Sequence, residues 1–258
     1  YDHLGGGIAR YSTDPEWLVP HFEKMLYDQA LVSAIYLEAF QFMHRQLYAA
    51  VARDILRYVI RDLQTPEGGF CSARDADSED QEGKYYVWSK SEVMDVLGPR
   101  VGALFCSYYD VTDAGNWEGK NILHIPREAE TVARLHEMEG EELCKILAEA
   151  RAKLLEVRDK RVPPALDDKV LASWNGLMIS SLARGASVLG DRNYADAAAR
   201  AADFILTHMT KNGRLLRTWR AGQAHTPGYL DDHAFLAEGL LDLYEATFEQ
   251  RVGGDRRA

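Results

Sequence analysis

Three stretches of this 258-residue chain open alike. Tyr27-Asp28-Gln29-Ala30-Leu31 lines up with Trp174-Asn175-Gly176-Leu177-Met178, and a third start stands at Tyr229-Leu230-Asp231-Asp232-His233. Each leads into a helix-length, mostly apolar run. After the first two comes an amphipathic run in which Tyr48 aligns with Tyr194, then a glycine turn, Gly68-Gly69 matching Gly213. The repeating unit is an inner helix, an outer helix, a glycine turn and a short hairpin. Repeated helical pairs must stack to bury their faces. The economical arrangement is an α/α toroid in which loops and hairpins at one end of the inner helices line a central cavity. A curved open solenoid is the alternative, and the short hairpins speak against it. A closed ring of six hairpins needs about twelve helices, more than this pattern supplies. The expectation is an all-α fold, an incomplete α/α toroid with short β-hairpin excursions, forming one domain over residues 1–258.

Residues 1–13 carry three glycines before a short alternating segment and read as a turn feeding an edge strand. They suggest that the chain starts inside a larger protein. Asp14 with Pro15 can cap the next helix, or Pro20 can restart it. From Phe22 to Met43 nearly every face is apolar, the mark of an enclosed helix. Residues 47–63 instead carry one stripe of Tyr48, Val51, Ile55 and Val59 and another of Arg53, Arg57 and Arg61, which predicts an outer helix with a solvated arginine face. Residues 65–88 predict a turn, a strand, an acidic tip and a second strand. Two short helices separated by Gly98-Pro99 follow over 89–109, then a loop, then a polar helix over 139–157. The second repeat gives helices at 172–189 and 193–209 and a strand pair in NGRLLRTWRAGQA. The tail EQRVGGDRRA is polar and ends without a cap.

With 47% apolar residues the chain can bury a substantial core. No apolar run reaches the length of a membrane span, so no membrane is expected as a partner. Forty acidic against thirty basic residues give a net charge of −10, which argues against nucleic acid. Cys71, Cys106 and Cys144 lie far apart with no CxxC. A disulfide framework, a cysteine zinc site and a dithiol redox centre are disfavoured, and a reducing, cytoplasmic setting is the default.

The segments GGGIARYSTDPEWLVPHFEKMLYDQA, FCSARDADSEDQEGKYYVW, LASWNGLMISSLARG and GYLDDHAFLAEGLLDLYEAT, in this order, resemble the thioredoxin-domain-containing proteins named for a spermatogenesis-associated member. The resemblance covers essentially the whole chain. It implies a larger parent with an N-terminal thioredoxin-like domain, absent here and a partner for this part, followed by a six-hairpin toroid similar to N-acylglucosamine 2-epimerase and the six-hairpin glycosidases. A fold does not by itself give a reaction.

Four constellations could carry chemistry. On a helix, His21, Lys24 and Asp28 share a face, with Glu23 and Tyr27 beside it. A histidine or a carboxylate pair there could move a proton at a sugar carbon or glycosidic oxygen. The plainer alternative is a helix-start network in which Glu23 favours the dipole and Lys24 pairs with an acid. In Arg74-Asp75-Ala76-Asp77-Ser78-Glu79-Asp80, alternating carboxylates could ligate calcium. The loop lacks the required glycine, so no metal is expected, and Asp75 and Asp77 could instead point into a cavity. Asp167-Asp168-Lys169 leads to Ser173, Trp174 and Asn175, where the indole offers a face for a sugar ring and the amide a donor and an acceptor, or else a packed ring and a cap. Finally Tyr229, Asp231, Asp232 and His233 open the third inner helix, as acid/base groups or as caps.

These polar clusters recur at the same end of three inner helices, which a toroid brings together. The candidate catalytic groups are therefore His21, Glu23, Asp28, Asp75, Asp77, Asp168 and His233. The candidate substrate contacts are Lys24, Tyr27, Trp174, Asn175, Tyr229 and Asp232. The expected ligand is a sugar or other small molecule, with no cofactor. No GxGxxG, GxxxxGK[ST], GxSxG or HExxH occurs, which leaves nucleotide hydrolysis, serine hydrolysis and zinc proteolysis without support. Two readings compete: a carbohydrate-active protein, epimerase-like or glycosidase-like, and a non-catalytic scaffold presenting a glycan or partner to the thioredoxin-like domain.

Overall fold

A computed structural model describes residues 1–249; the polar tail beyond lies outside the described residues. In chain order the helices are α1 (Leu26–Met43), α2 (Gln46–Tyr58), α3 (Lys90–Tyr109), α4 (Ala129–Leu135), α5 (Gly140–Arg158), α6 (Ala172–Leu189), α7 (Arg192–His208) and α8 (Leu230–Thr247). The strands are short and antiparallel. Two compact units result. One comprises Tyr1–Gly5, Ala9–Glu23 and Ala76–Ala165, and the other Gly6–Ile8, Lys24–Asp75 and residues 166–249. No helix among the described residues is long and apolar enough to cross a membrane. All three cysteines are free thiols, Cys71 and Cys106 buried and Cys144 exposed.

In the second unit α6 is the inner helix that packs against both α1 and α8. Its burial runs nearly all round, taking in Met178, Ile179, Leu182 and Ala183 as well as Ser173, Asn175 and Ser181. Glycine sets how closely α8 approaches. A Cβ on Gly176 would stand 2.5 Å from the Leu236 nitrogen, and one on Gly239 would stand 2.5 Å from the Gly176 carbonyl oxygen. Toward α1 the contact is polar, with the Ser33 and Ser181 hydroxyls 2.7 Å apart. The outer helices bury one face each: α7 an alanine series including Ala197, Ala198, Ala201 and Ala202, and α2 Ala49, Ala52, Ile55 and Leu56. Arg57 and Arg61 face solvent as the stripe predicts, although α2 ends in a π-helical turn at Val59–Leu63. Arg214–Arg220 pairs with Gln223–Pro227, with Thr218 opposite His225, and on its other edge with Val170–Leu171.

The first unit packs α5 against α3 around Phe105, Tyr109, Leu143, Leu147 and Leu154. The helix break expected at Gly98-Pro99 is present as a non-helical Gly98 (φ 75°, ψ 172°) inside α3. Asp77–Ser78 and Gln81–Glu82 form the acidic-tipped hairpin. Its expected continuation through KYYVW is not a strand, since Trp88 makes only a single bridge to Asn121.

The start of α1 differs from expectation. The helix begins at Leu26, not Phe22. Pro20–His21 pairs with Tyr11–Ser12, and Lys24–Met25 with Ala73–Arg74, so backbone pairing to distant segments outweighs local helical preference. Asp14 caps no helix. Its carboxylate accepts from the Val19 and Leu18 N–H groups at 2.6 and 3.1 Å and closes the turn between the first strand pair. The face shared by His21, Lys24 and Asp28 therefore does not form, because two of the three precede the helix.

Candidate functional site

Three inner helices present neighbouring faces to one cavity of about 410 Å³ in the second unit. From α1 come Tyr27, Leu31 and Ala34, from α6 Trp174, Leu177, Ser180 and Arg184, and from α8 Asp231, Phe235 and Glu238. Helical periodicity explains the selection, since each set recurs at spacings of three and four. One end is aromatic: the Tyr27 and Trp174 rings meet edge to face with centroids 4.8 Å apart. The other end is ionic. Arg184 Nε donates to Asp242 Oδ2 at 3.0 Å, while its terminal nitrogens reach Glu38 at 3.4 Å and Glu238 at 3.3 Å. The Ser180 hydroxyl also donates to Asp242. One guanidinium thus organises three carboxylates and leaves an excess of negative charge around it.

Asp231, at the aromatic end, is met by Arg217 Nη1 at 3.4 Å. The same nitrogen lies 2.9 Å from Asp232 Oδ2, and the guanidinium covers the Tyr229 ring at 4.8 Å. Desolvation opposes the Arg217 charge, but Asp232 and Asp231 outweigh it and raise its pKa above the ordinary arginine value. Tyr229 and His233 are exposed.

Three of the expected substrate contacts, Asp232, Asn175 and Lys24, are closed off. Asp232 is 0% exposed and accepts from the Ser173 N–H (3.0 Å) and the Tyr229 N–H (2.9 Å) besides Arg217. Asn175, also 0% exposed, accepts from the Phe70 N–H (2.8 Å) and donates to the Phe70 and Leu171 carbonyls (both 3.0 Å). Every hydrogen-bonding arm in these two networks serves the backbone or a neighbouring side chain. Lys24 is 3% exposed, donates to the Gly6 carbonyl at 2.8 Å and lies over the Tyr58 ring, so it is built into the packing. Asp168 forms a surface pair with Arg220 at 2.6 Å. Asp75 and Asp77 are exposed, and Asp28 sits in the first turn of α1. Of the residues in the expected constellations, the cavity brings together Tyr27, Ser173, Trp174 and Asp231. Arg184, Glu238, Phe235 and Ser180 were missed, although the Ser180/Arg184 and Glu238/Asp242 spacings of four were readable.

The first unit holds a separate polar centre. His21 Nδ1 lies 2.8 Å from Glu82 Oε1, and Nε2 lies 3.7 Å from Glu23 Oε2. Arg10 donates to the same Glu23 oxygen at 3.1 Å, and the Tyr11 ring stacks on the imidazole at 4.9 Å. His21 and Glu23 do come together, through strand pairing and not a helical face. Glu82 is 61 positions from His21, with no local spacing to reveal it. An imidazole oriented by one carboxylate and facing another can hold or pass a proton.

Helical hairpins with inner and outer members and short antiparallel sheets define an α/α toroid fold. A solved cellobiose 2-epimerase from Bacillus thermoamylovorans superposes with a TM-score of 0.56, covering 96% of this chain and 46% of that one at 10% identity. No family model matches the chain. The sequence is homologous to spermatogenesis-associated protein 20: it is 40% identical to the human protein and 41% to the mouse protein, each over 96% of this chain. An uncharacterised Caenorhabditis elegans protein is 34% identical over 95% of the chain. The chain spans 36% of the length of the human and mouse relatives.

Proposed function

We propose that this chain is the sugar-handling part of a carbohydrate-active protein, epimerase-like or glycosidase-like, and that the cavity between α1, α6 and α8 receives the sugar. The observation that carries this reading is the lining itself, with Tyr27, Trp174 and Phe235 beside the carboxylates of Asp231 and Glu238. Aromatic faces suit the apolar C–H faces of a sugar ring, while carboxylates and a guanidinium suit its hydroxyls. Asp231 and Glu238 are the acid/base groups of this proposal, and His21 with Glu23 and Glu82 is a second proton-handling centre. The similarity to a cellobiose 2-epimerase supports the fold on which such a site would stand.

A second reading has its own support. Glu238 is tied to Arg184 at 3.3 Å, an arrangement that suits ligand binding better than proton transfer. In this reading the chain is a non-catalytic glycan- or partner-binding scaffold beside a thioredoxin-like domain. Titration calorimetry with glucose, N-acetylglucosamine and cellobiose tests binding, and proton NMR of the anomeric signals in deuterium oxide tests turnover. The enzymatic reading expects Asp231→Asn or Glu238→Gln to lower turnover by about 10²–10⁴-fold with binding largely kept, while Trp174→Ala weakens binding. Binding without turnover in the unaltered protein selects the scaffold. Absence of binding by all three sugars removes both sugar readings.

A further inference from the structure

The first unit contains a cavity of about 480 Å³ that the sugar reading does not use. Its walls come from the acidic hairpin (Ser78, Glu79, Gln81), the turn after it (Lys84, Tyr85, Val87), the start of α3 and the stretch after α5. The charge balance on these walls is unlike that of the chain. Lys84, Lys120, Lys160 and Arg161 face two carboxylates, Glu79 and Glu92, whereas the whole chain carries −10. A pocket with a local cationic excess in an acidic protein focuses potential on an anion.

The cations have distinct roles. Arg161 is the fixed one: Nη1 donates to the Tyr85 and Val87 carbonyls at 2.9 and 2.8 Å, and the guanidinium lies over Trp88 at 3.9 Å. Arg161 Nη2 and Lys120 Nζ both approach Glu92, at 3.6 and 3.2 Å. Glu92 is already engaged by Ser89, accepting from its N–H and hydroxyl at 2.7 Å each. Burial alone would raise the Glu92 pKa, and these bonds with Lys120 hold it below the usual carboxylate range, so Glu92 is a settled anion of the scaffold. Lys84 pairs with Glu79 at the open hairpin tip at 3.2 Å. Lys160 makes no side-chain ion pair among the described residues. Once Glu79 and Glu92 are counted, two positive charges remain.

We infer that this cavity binds the phosphoryl group of a small molecule. A dianion matches the residual charge, and ammonium groups on flexible stems suit a tetrahedral acceptor approached from several sides. Tyr85, Val87 and Val162 leave a less polar wall for the rest of the molecule. The volume lies within the range of small-ligand pockets, about 300–1,000 Å³. The shared chemistry is the phosphoryl dianion, carried either by free phosphate or by a phosphorylated metabolite.

Titration calorimetry on the whole chain at low ionic strength, with inorganic phosphate, glucose 6-phosphate and glucose as probes, tests the inference. Saturable binding of a phosphate-bearing probe is expected. Lys160→Ala with Lys120→Ala should weaken it about tenfold or more, and Lys160→Arg should largely retain it. Tighter binding of glucose 6-phosphate than of inorganic phosphate identifies a phosphorylated metabolite, and the reverse identifies free phosphate. Trp174→Ala, in the other cavity, should leave this binding unchanged, so the site stands or falls independently of the sugar proposal. Failure of both phosphate probes to bind, or binding indifferent to the two lysines in variants whose circular-dichroism melts match the unaltered protein, overturns it.

Discussion

The inner helices carry polar groups in two places, and the two are built oppositely. At the starts of α6 and α8, Asn175 and Asp232 are fully buried and each makes three hydrogen bonds. One to three turns further along the same helices, Ser180, Arg184 and Glu238 line a partly open cavity, with Asp242 bonded to Arg184 and Arg184 itself 36% exposed. The first set joins elements: Asn175 ties α6 to Phe70, and Asp232 ties α8 to Ser173 and to Arg217 on the long strand. The second set leaves charge where a ligand could meet it. Buried polar groups that satisfy one another define a structure, whereas polar groups clustered on an open wall are available for recognition.

If that contrast is sound, the largest stability effect belongs to the sealed end. Asp232→Ala leaves the Ser173 and Tyr229 N–H groups without their acceptor and Arg217 with only its longer contacts to Asp231 at 3.4 Å, and a loss of about 2–4 kcal/mol is expected from urea unfolding. Asp232→Asn keeps an acceptor oxygen and should lose less. A loss below that of an ordinary surface substitution would break the comparison. The next effect is steric. Gly176→Ala drives a methyl group into the Phe235–Leu236 backbone, where the ideal Cβ lies 2.5 Å from the nearest atoms. About 1–3 kcal/mol of destabilisation is expected from the same measurement, with Gly140→Ala, whose Cβ would meet no atom closer than 3.8 Å, as the contrasting change.

The same physics explains what was legible in the sequence. The helices expected over 172–189 and 193–209 appear as Ala172–Leu189 and Arg192–His208, because apolar periodicity and the Gly190-Asp191 break agree with the tertiary packing. The toroid class follows from the repeat of inner and outer helices. The start of α1 was not legible, because its preceding residues are held by strands far along the chain. Nor was α4, whose seven residues are too few to show a period. At the site, the helix starts mark Tyr27 and Trp174, which line the cavity, and equally Asn175 and Asp232, which look identical in sequence whether they face a ligand or a backbone. Arg184 and Glu238 stand at mid-helix, where charge ordinarily marks a solvated face. Only the packing of α1, α6 and α8 shows that this face encloses a cavity.

The smallest stability effect should come from the open wall, and it sharpens the contrast most. Arg184→Met removes three ion pairs, yet the guanidinium is partly exposed and its carboxylate partners on Glu38 and Glu238 are more exposed still, at 67% and 51%. Solvent screening limits such pairs to about 0–1 kcal/mol each, and methionine retains much of the stem packing. The expected loss is about 1 kcal/mol, mostly from Asp242, the least exposed partner at 18%. Because three carboxylates then stand without their shared cation, the loss should shrink as added salt screens their repulsion. Sugar affinity in the calorimetric titration should nevertheless fall sharply, so stability and binding separate at Arg184 where they cannot at Asp232. A stability loss at Arg184 as large as that at Asp232 would mean that the wall is as structural as the sealed end.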